Sequence, residues 1–122
     1  MTLTVTSREK MLGVFILSPV GTIDINTYAI LEKQADQILQ TSPKVIVFDM
    51  QRVEYISSAG IRVVLKTKKA LKKHEGKLVL VNLQPQIKKV FEIVNALPSQ
   101  EIFSSIEELD RYLDHIQRSM AE

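Results

Sequence analysis

Two uninterrupted apolar runs, VIVF at 45–48 and LVLV at 78–81, constrain this chain more than any other feature. A run of that kind keeps no polar face for water, so each reads as a strand buried on both sides, the kind found in parallel sheets covered by helices. The neighbouring segments agree. Tyr28, Leu31, Ala35, Ile38 and Leu39 recur at helical spacing and predict a helix over 26–40, with Asp24 or Asn26 as its cap and Ser42 and Pro43 ending it. Between the two runs, Ile61, Val64, Leu65 and Leu71 predict a second helix from Ser57 or Ser58 to about His74, stopped by Gly76.

A third helix is expected over 85–96, with Pro85 at its start and Ile87, Val90, Phe91, Val94 and Leu97 forming its stripe. A short strand at 101–103 comes next. Ser105 and Glu108 then make a capping box for a last helix that uses Ile106, Leu109, Leu113 and Ile116. At the N-terminus, TLTVTS at 2–7 and MLGVFIL at 11–17 read as two antiparallel strands joined through Arg8, Glu9 and Lys10; Pro19 and Gly21 signal the turn beyond them. The sum is an α/β chain forming one domain over 1–122. Its mixed β-sheet joins an N-terminal antiparallel hairpin to parallel β-α-β units with right-handed crossovers, and about four helices cover it.

Composition removes several chemistries. With 122 residues the chain can bury one core without staples, and it has no cysteine and two histidines, which leaves little for a disulfide, a zinc site or a thiol nucleophile. The four glycines stand singly, so no phosphate cradle is expected. His74 lies at the end of a basic helix and His115 on the polar side of the last one. No nucleophile, base and orienting group occur together, so the expectation is a protein that is not an enzyme and needs no cofactor or metal. The longest early apolar run is only Val14 to Leu17, too short for a signal peptide or a membrane span, and a cytoplasmic location fits.

The net charge of +2 is uninformative as a sum and informative in its distribution. Arg62, Lys66, Lys68, Lys69, Lys72, Lys73 and Lys77 make the stretch over 62–77 basic, whereas Glu101, Glu107, Glu108, Asp110, Asp114 and Glu122 make the C-terminal segment acidic. The basic stretch reads first as a solvated face. No aromatic residue interleaves it, so direct nucleic-acid binding is not expected.

Chemistry of interest concentrates at 45–65, VIVFDMQRVEYISSAGIRVVL. A strand ends at Asp49, a polar connection carries Val53 and Ile56, and Ser57 and Ser58 open a helix that has Gly60 near its start. Read locally, the serines are N-caps worth about 1 kcal/mol. The segment also resembles the signature of the STAS domain, in particular that of bacterial anti-sigma factor antagonists: Asp49, Val53, Tyr55 with Ile56, Ser58, Ala59, Gly60 and Ile61 fall on the pattern in order. Gly21, Ile23 and Asp24 match the family's loop before its first helix. The resemblance extends over about 10–116.

That resemblance implies a partner switch. The unmodified domain binds an anti-sigma factor with serine kinase activity and frees a sigma factor; phosphorylation of Ser58 ends the complex, and a metal-dependent serine phosphatase restores it. The family's Asp before the acceptor is replaced by Ser57, which leaves Ser57 as the alternative acceptor. Ser58 is expected inside a partner interface with Asp24, Arg52, Glu54, Tyr55, Ser57, Ala59, Gly60 and Arg62, because a dianion releases a partner only where it is desolvated or set against like charge. The alternative is a constitutive STAS scaffold or an accessory subunit of a transporter or other signalling complex.

Overall fold

The computed structural model describes residues 2–96 and 106–121. The elements run β1 (Leu3–Met11), β2 (Val14–Ile23), α1 (Tyr28–Leu39), β3 (Val45–Asp49), β4 (Arg52–Ile56), α2 (Ser58–Lys72), β5 (Lys77–Val81), α3 (Pro85–Ala96) and α4 (Ile106–Ala121). Strands β1 and β2 pair antiparallel. Parallel pairing continues from β2 to β3 and from β3 to β5, giving the order β1-β2-β3-β5, while β4 pairs parallel with β2 off that path. The mixed sheet with its hairpin and four helices is thus the architecture expected from the sequence.

Several boundaries differ for identifiable reasons. Arg8, Glu9 and Lys10 lie inside β1, not in the hairpin connection. As the outer strand of the sheet, β1 tolerates a charged row that would be costly in its middle. The turn falls at Leu12 and Gly13, where Gly13 takes φ +80 and donates its N–H to Glu9 Oε2 at 3.0 Å.

Pro19 and Gly21 do not end the strand either; both belong to β2. On its far side β2 pairs with β3 at Val14–Leu17 and with β4 at Val20–Ile23. Pro19, lacking an N–H, falls in the gap between those two ladders. Gly21 has φ +118 at an irregularity in the β2–β4 register, and a Cβ there would run into the Thr2 carbonyl oxygen.

The polar connection after Asp49 is itself a strand. Val53 and Ile56 of β4 are fully buried while Arg52 and Glu54 are exposed. In β3, Ile46 and Phe48 are completely buried, but Val45, Val47 and Asp49 are only half-buried, so the run is not enclosed on both faces as expected. Strand β5 is half-buried from Leu78 to Val81. Helices pack one face of the sheet tightly and leave the other partly open to water.

The core joins Leu17, Ile46 and Phe48 of the sheet to Leu31, Ala35 and Ile38 of α1, Ile61, Val64 and Leu71 of α2, Ile87 and Val90 of α3, and Leu113 of α4. Each such Val, Leu, Ile or Phe side chain contributes roughly 1.5–3 kcal/mol on burial. Leu65, expected on the packed face of α2, is 44% exposed; Val63 and Thr67 are buried instead. The left-handed residue after α2 is Glu75, at φ 61, and not Gly76. Gly76 is needed for close approach: its N–H donates to the Leu71 carbonyl at 2.8 Å, and a Cβ would stand 3.0 Å from Leu71 Cδ2. The stripe of α3 holds through Ile87, Val90 and Phe91. Leu97, the strand at 101–103 and the Ser105 cap lie outside the described residues.

Candidate functional site

The junction between β4 and α2 is built from three sides. From β2, the Ile23 carbonyl accepts the Ser57 N–H at 2.8 Å, which ties the end of one strand to the start of the helix. Gly60 makes this approach possible: a Cβ there would lie 2.6 Å from Ile23 Cγ2 and 2.7 Å from Ile56 Cγ1. Its place in the motif is therefore a packing requirement, and Ala59, at 3% exposure, is packed in as well.

Asp24 sits one residue beyond Ile23. Its Oδ1 accepts from Asn26 N–H at 2.9 Å, Thr27 N–H at 3.1 Å and the Thr27 hydroxyl at 3.1 Å. Its own N–H donates to Thr27 Oγ1 at 2.9 Å. The helix cap position is Thr27, so Asp24 closes the loop in front of α1 from outside the cap.

The third side is α4, for which the sequence alone predicts an apolar stripe and an acidic character. Gln117 is 2% exposed and bonds the Ile56 backbone twice: Oε1 accepts the Ile56 N–H at 2.8 Å and Nε2 donates to the Ile56 carbonyl at 2.7 Å. Asp110 Oδ1 accepts the Ser58 N–H at 2.9 Å. Tyr55 is pushed up to about 12, first by burial and then by a hydrogen bond to Asp114 and the negative charges of Asp114 and Asp110. One signal was present in the sequence: Gln117 lies four residues after Leu113, on the line of the apolar stripe.

The two serines differ sharply. Ser57 occupies the N-cap position of α2, yet its side chain makes no capping bond; it is 7% exposed and its buried Oγ has no hydrogen-bond partner. Ser58, the first helical residue, is half-buried. A carboxylate from α4 therefore satisfies the first free N–H of the helix, while the Ser57 hydroxyl caps none.

The remaining expected site residues spread outward. Tyr55 is half-buried beside the junction, and Arg62 is exposed on the first turn and a half of α2. Arg52 begins β4, about 13 Å along the strand from Ile56 at about 3.3 Å per residue; Glu54 is exposed between them, its carbonyl accepting from Gln86 Nε2 at 3.1 Å. Asp49 holds the loops together at the same end as Arg52, accepting from Gln51 N–H and from Asn82 Nδ2, both at 3.2 Å. On the basic helix, Lys66 pairs with Glu32 at 3.2 Å and lies 3.9 Å from Asp36, so α1 neutralises part of that charge. Among the described residues no group of three or more His, Asp or Glu is arranged to hold a metal ion, and no helix is long and apolar enough to cross a membrane.

A strand–helix junction presenting one half-buried serine at a helix start, on a mixed sheet of this order, places the chain among small α/β domains. The STAS domain family model matches residues 6–109. This chain belongs to the STAS-domain anti-sigma factor antagonist family. BtrV of Bordetella bronchiseptica, assigned by name to the anti-sigma factor antagonists, is 36% identical over 87 residues, which is 71% of this chain and 75% of BtrV. In fold the chain is similar to the anti-sigma factor antagonist SpoIIAA. The unphosphorylated form superposes with a TM-score of 0.65 at 19% identity, over 74% of this chain and 83% of SpoIIAA. The phosphorylated Bacillus form gives 0.65 at 18% identity, over 75% and 83%.

Proposed function

We propose that this chain works as an anti-sigma factor antagonist in a partner switch. Its unmodified form binds an anti-sigma factor that is also a serine kinase and so frees a sigma factor. Phosphorylation of Ser58 ends the complex, and a metal-dependent serine phosphatase reverses it. In the transfer the γ-phosphoryl group of ATP passes to Ser58 Oγ, the hydroxyl proton leaves to the kinase's base, and ADP departs. The chain itself acts by being bound and modified in the cytoplasm; it supplies no catalytic group.

The observation that carries this reading is the contrast between adjacent hydroxyls. Ser58 is half-buried at the start of a helix, whereas Ser57 is 7% exposed, and a kinase needs an acceptor it can reach. The forms in which SpoIIAA has been solved, unphosphorylated and phosphorylated, support the same logic. Asp24, Tyr55 and Arg62 offer side chains to a partner near Ser58, and Glu54 and Arg52 extend that surface along β4; Ser57, Ala59 and Gly60 serve by packing the helix start against β2.

The rival, a constitutive scaffold, draws support from the absence of the family's Asp at position 57. Incubation with the cognate kinase and ATP separates the two. One phosphate, abolished by Ser58→Ala and retained in Ser57→Ala, is the expected outcome. Phosphate that persists in Ser58→Ala refutes the assignment, and no phosphate on any variant favours the scaffold.

A further inference from the structure

The acidic C-terminal segment and the serine pair, separate features in sequence, meet at one N–H group. The first N–H of α2 points at the position an anion prefers, at the positive end of the helix dipole. That position is already filled. Asp110 Oδ1, from α4, accepts the Ser58 N–H at 2.9 Å, while the Ser57 hydroxyl beside it stays buried and unpartnered. The same helix is held to the junction by the two bonds of Gln117 to Ile56.

We propose that Asp110 is a positioning residue for Ser58 and a sensor of its modification: the carboxylate holds the helix start in the unmodified chain, and a phosphate on Ser58 displaces it and loosens α4. This rests on the reading of Ser58 as the phosphoacceptor. The physical reason is competition. A phosphoserine adds about −1.5 to −2 charges and three strong acceptor oxygens on the very residue whose N–H the carboxylate holds. One N–H cannot fully serve two anions, and like charges on neighbouring groups repel. The covalently fixed phosphate cannot leave, so the carboxylate does. Asp110 is carried on α4, and its departure leaves the Gln117 bonds to Ile56 to hold that helix to the junction.

The test uses the full chain with phosphoserine encoded at position 58 during synthesis, so that no kinase is required. Amide hydrogen exchange is compared for wild type and Asp110→Asn, each with and without the phosphate; the asparagine keeps an acceptor oxygen and removes the charge. The phosphate is expected to accelerate exchange in α4 by about tenfold or more in wild type and by less than about threefold in Asp110→Asn. Equal α4 exchange with and without phosphate in wild type overturns the proposal, as does equal acceleration in both backgrounds. A second measurement needs no variant: the Asp110 carboxylate carbon resonance must shift on phosphorylation, and an unchanged resonance is equally fatal. Failure of a kinase to modify Ser58 counts only against the functional reading. An unresponsive α4 in a chain whose phosphate still abolishes partner binding counts only against the role of Asp110.

Discussion

Gln117 and Ile56 lie 61 residues apart and exchange two hydrogen bonds, side chain to backbone, inside the protein. Strand β4 pairs with β2, and among the described residues Ile56 has no strand on its other flank; the Gln117 amide supplies an acceptor and a donor of the kind a neighbouring strand would give. Gln117→Ala should orphan a buried N–H and a buried C=O together, at about 1–3 kcal/mol each. The expected loss is about 3 kcal/mol in equilibrium denaturation, with Gln117→Glu also destabilised because a carboxylate cannot donate to the Ile56 carbonyl.

Ser57→Ala is expected to behave unlike an ordinary cap deletion. A serine that caps a helix loses about 1 kcal/mol on replacement by alanine. Here the hydroxyl makes no capping bond and is buried without a partner, so its removal should leave stability unchanged or raise it. Chemical denaturation of the variant measures this directly. A loss near 1 kcal/mol would mean that Ser57 caps α2 after all.

At Gly60 two effects oppose each other. Alanine gains about 1 kcal/mol in helix propensity, but its Cβ would stand 2.6 Å and 2.7 Å from Ile23 and Ile56, both fully buried. Overpacking of this kind costs about 1–3 kcal/mol or somewhat more, so the expected net change is destabilising. A thermal midpoint lowered in Gly60→Ala, against the gain in propensity, identifies crowding; a raised midpoint would mean that the site accommodates the Cβ.

Tyr55 should ionise near pH 12. The folded chain then holds this proton more tightly than the unfolded chain, whose tyrosine titrates near 10.0. The stability arising from that difference is complete below pH 10 and is lost as pH climbs through the folded value. Ultraviolet difference absorbance in a Tyr28→Phe, Tyr112→Phe background follows the one remaining phenol. Asp114→Asn should lower its midpoint without restoring the ordinary value, because burial is the larger cause.

What the sequence disclosed, and what it concealed, follows from the range of the interactions involved. The apolar runs at 45–48 and 78–81 and the stripes of α1 and α3 are local patterns, and the sheet order with its flanking helices follows from them. Strand β4 was legible only as a motif, because its five residues carry Arg52 and Glu54 between buried positions and owe their extended form to β2. Pro19 and Gly21 look like a turn to any local rule. Only the division of β2 between two parallel partners makes room for them inside a strand. The serines at 57 and 58 were visible, but their difference was not: the Asp110 and Gln117 contacts span 52 and 61 residues and leave no trace in spacing.

The central claim is that charge at Ser58 decides whether a partner stays bound. Isothermal titration of the cognate anti-sigma kinase into the unmodified chain and into the chain carrying phosphoserine at position 58 tests it most directly. The expected result is affinity at least about a hundredfold weaker for the phosphorylated chain, equivalent to about 2.7 kcal/mol. Equal affinity for the two forms would contradict it.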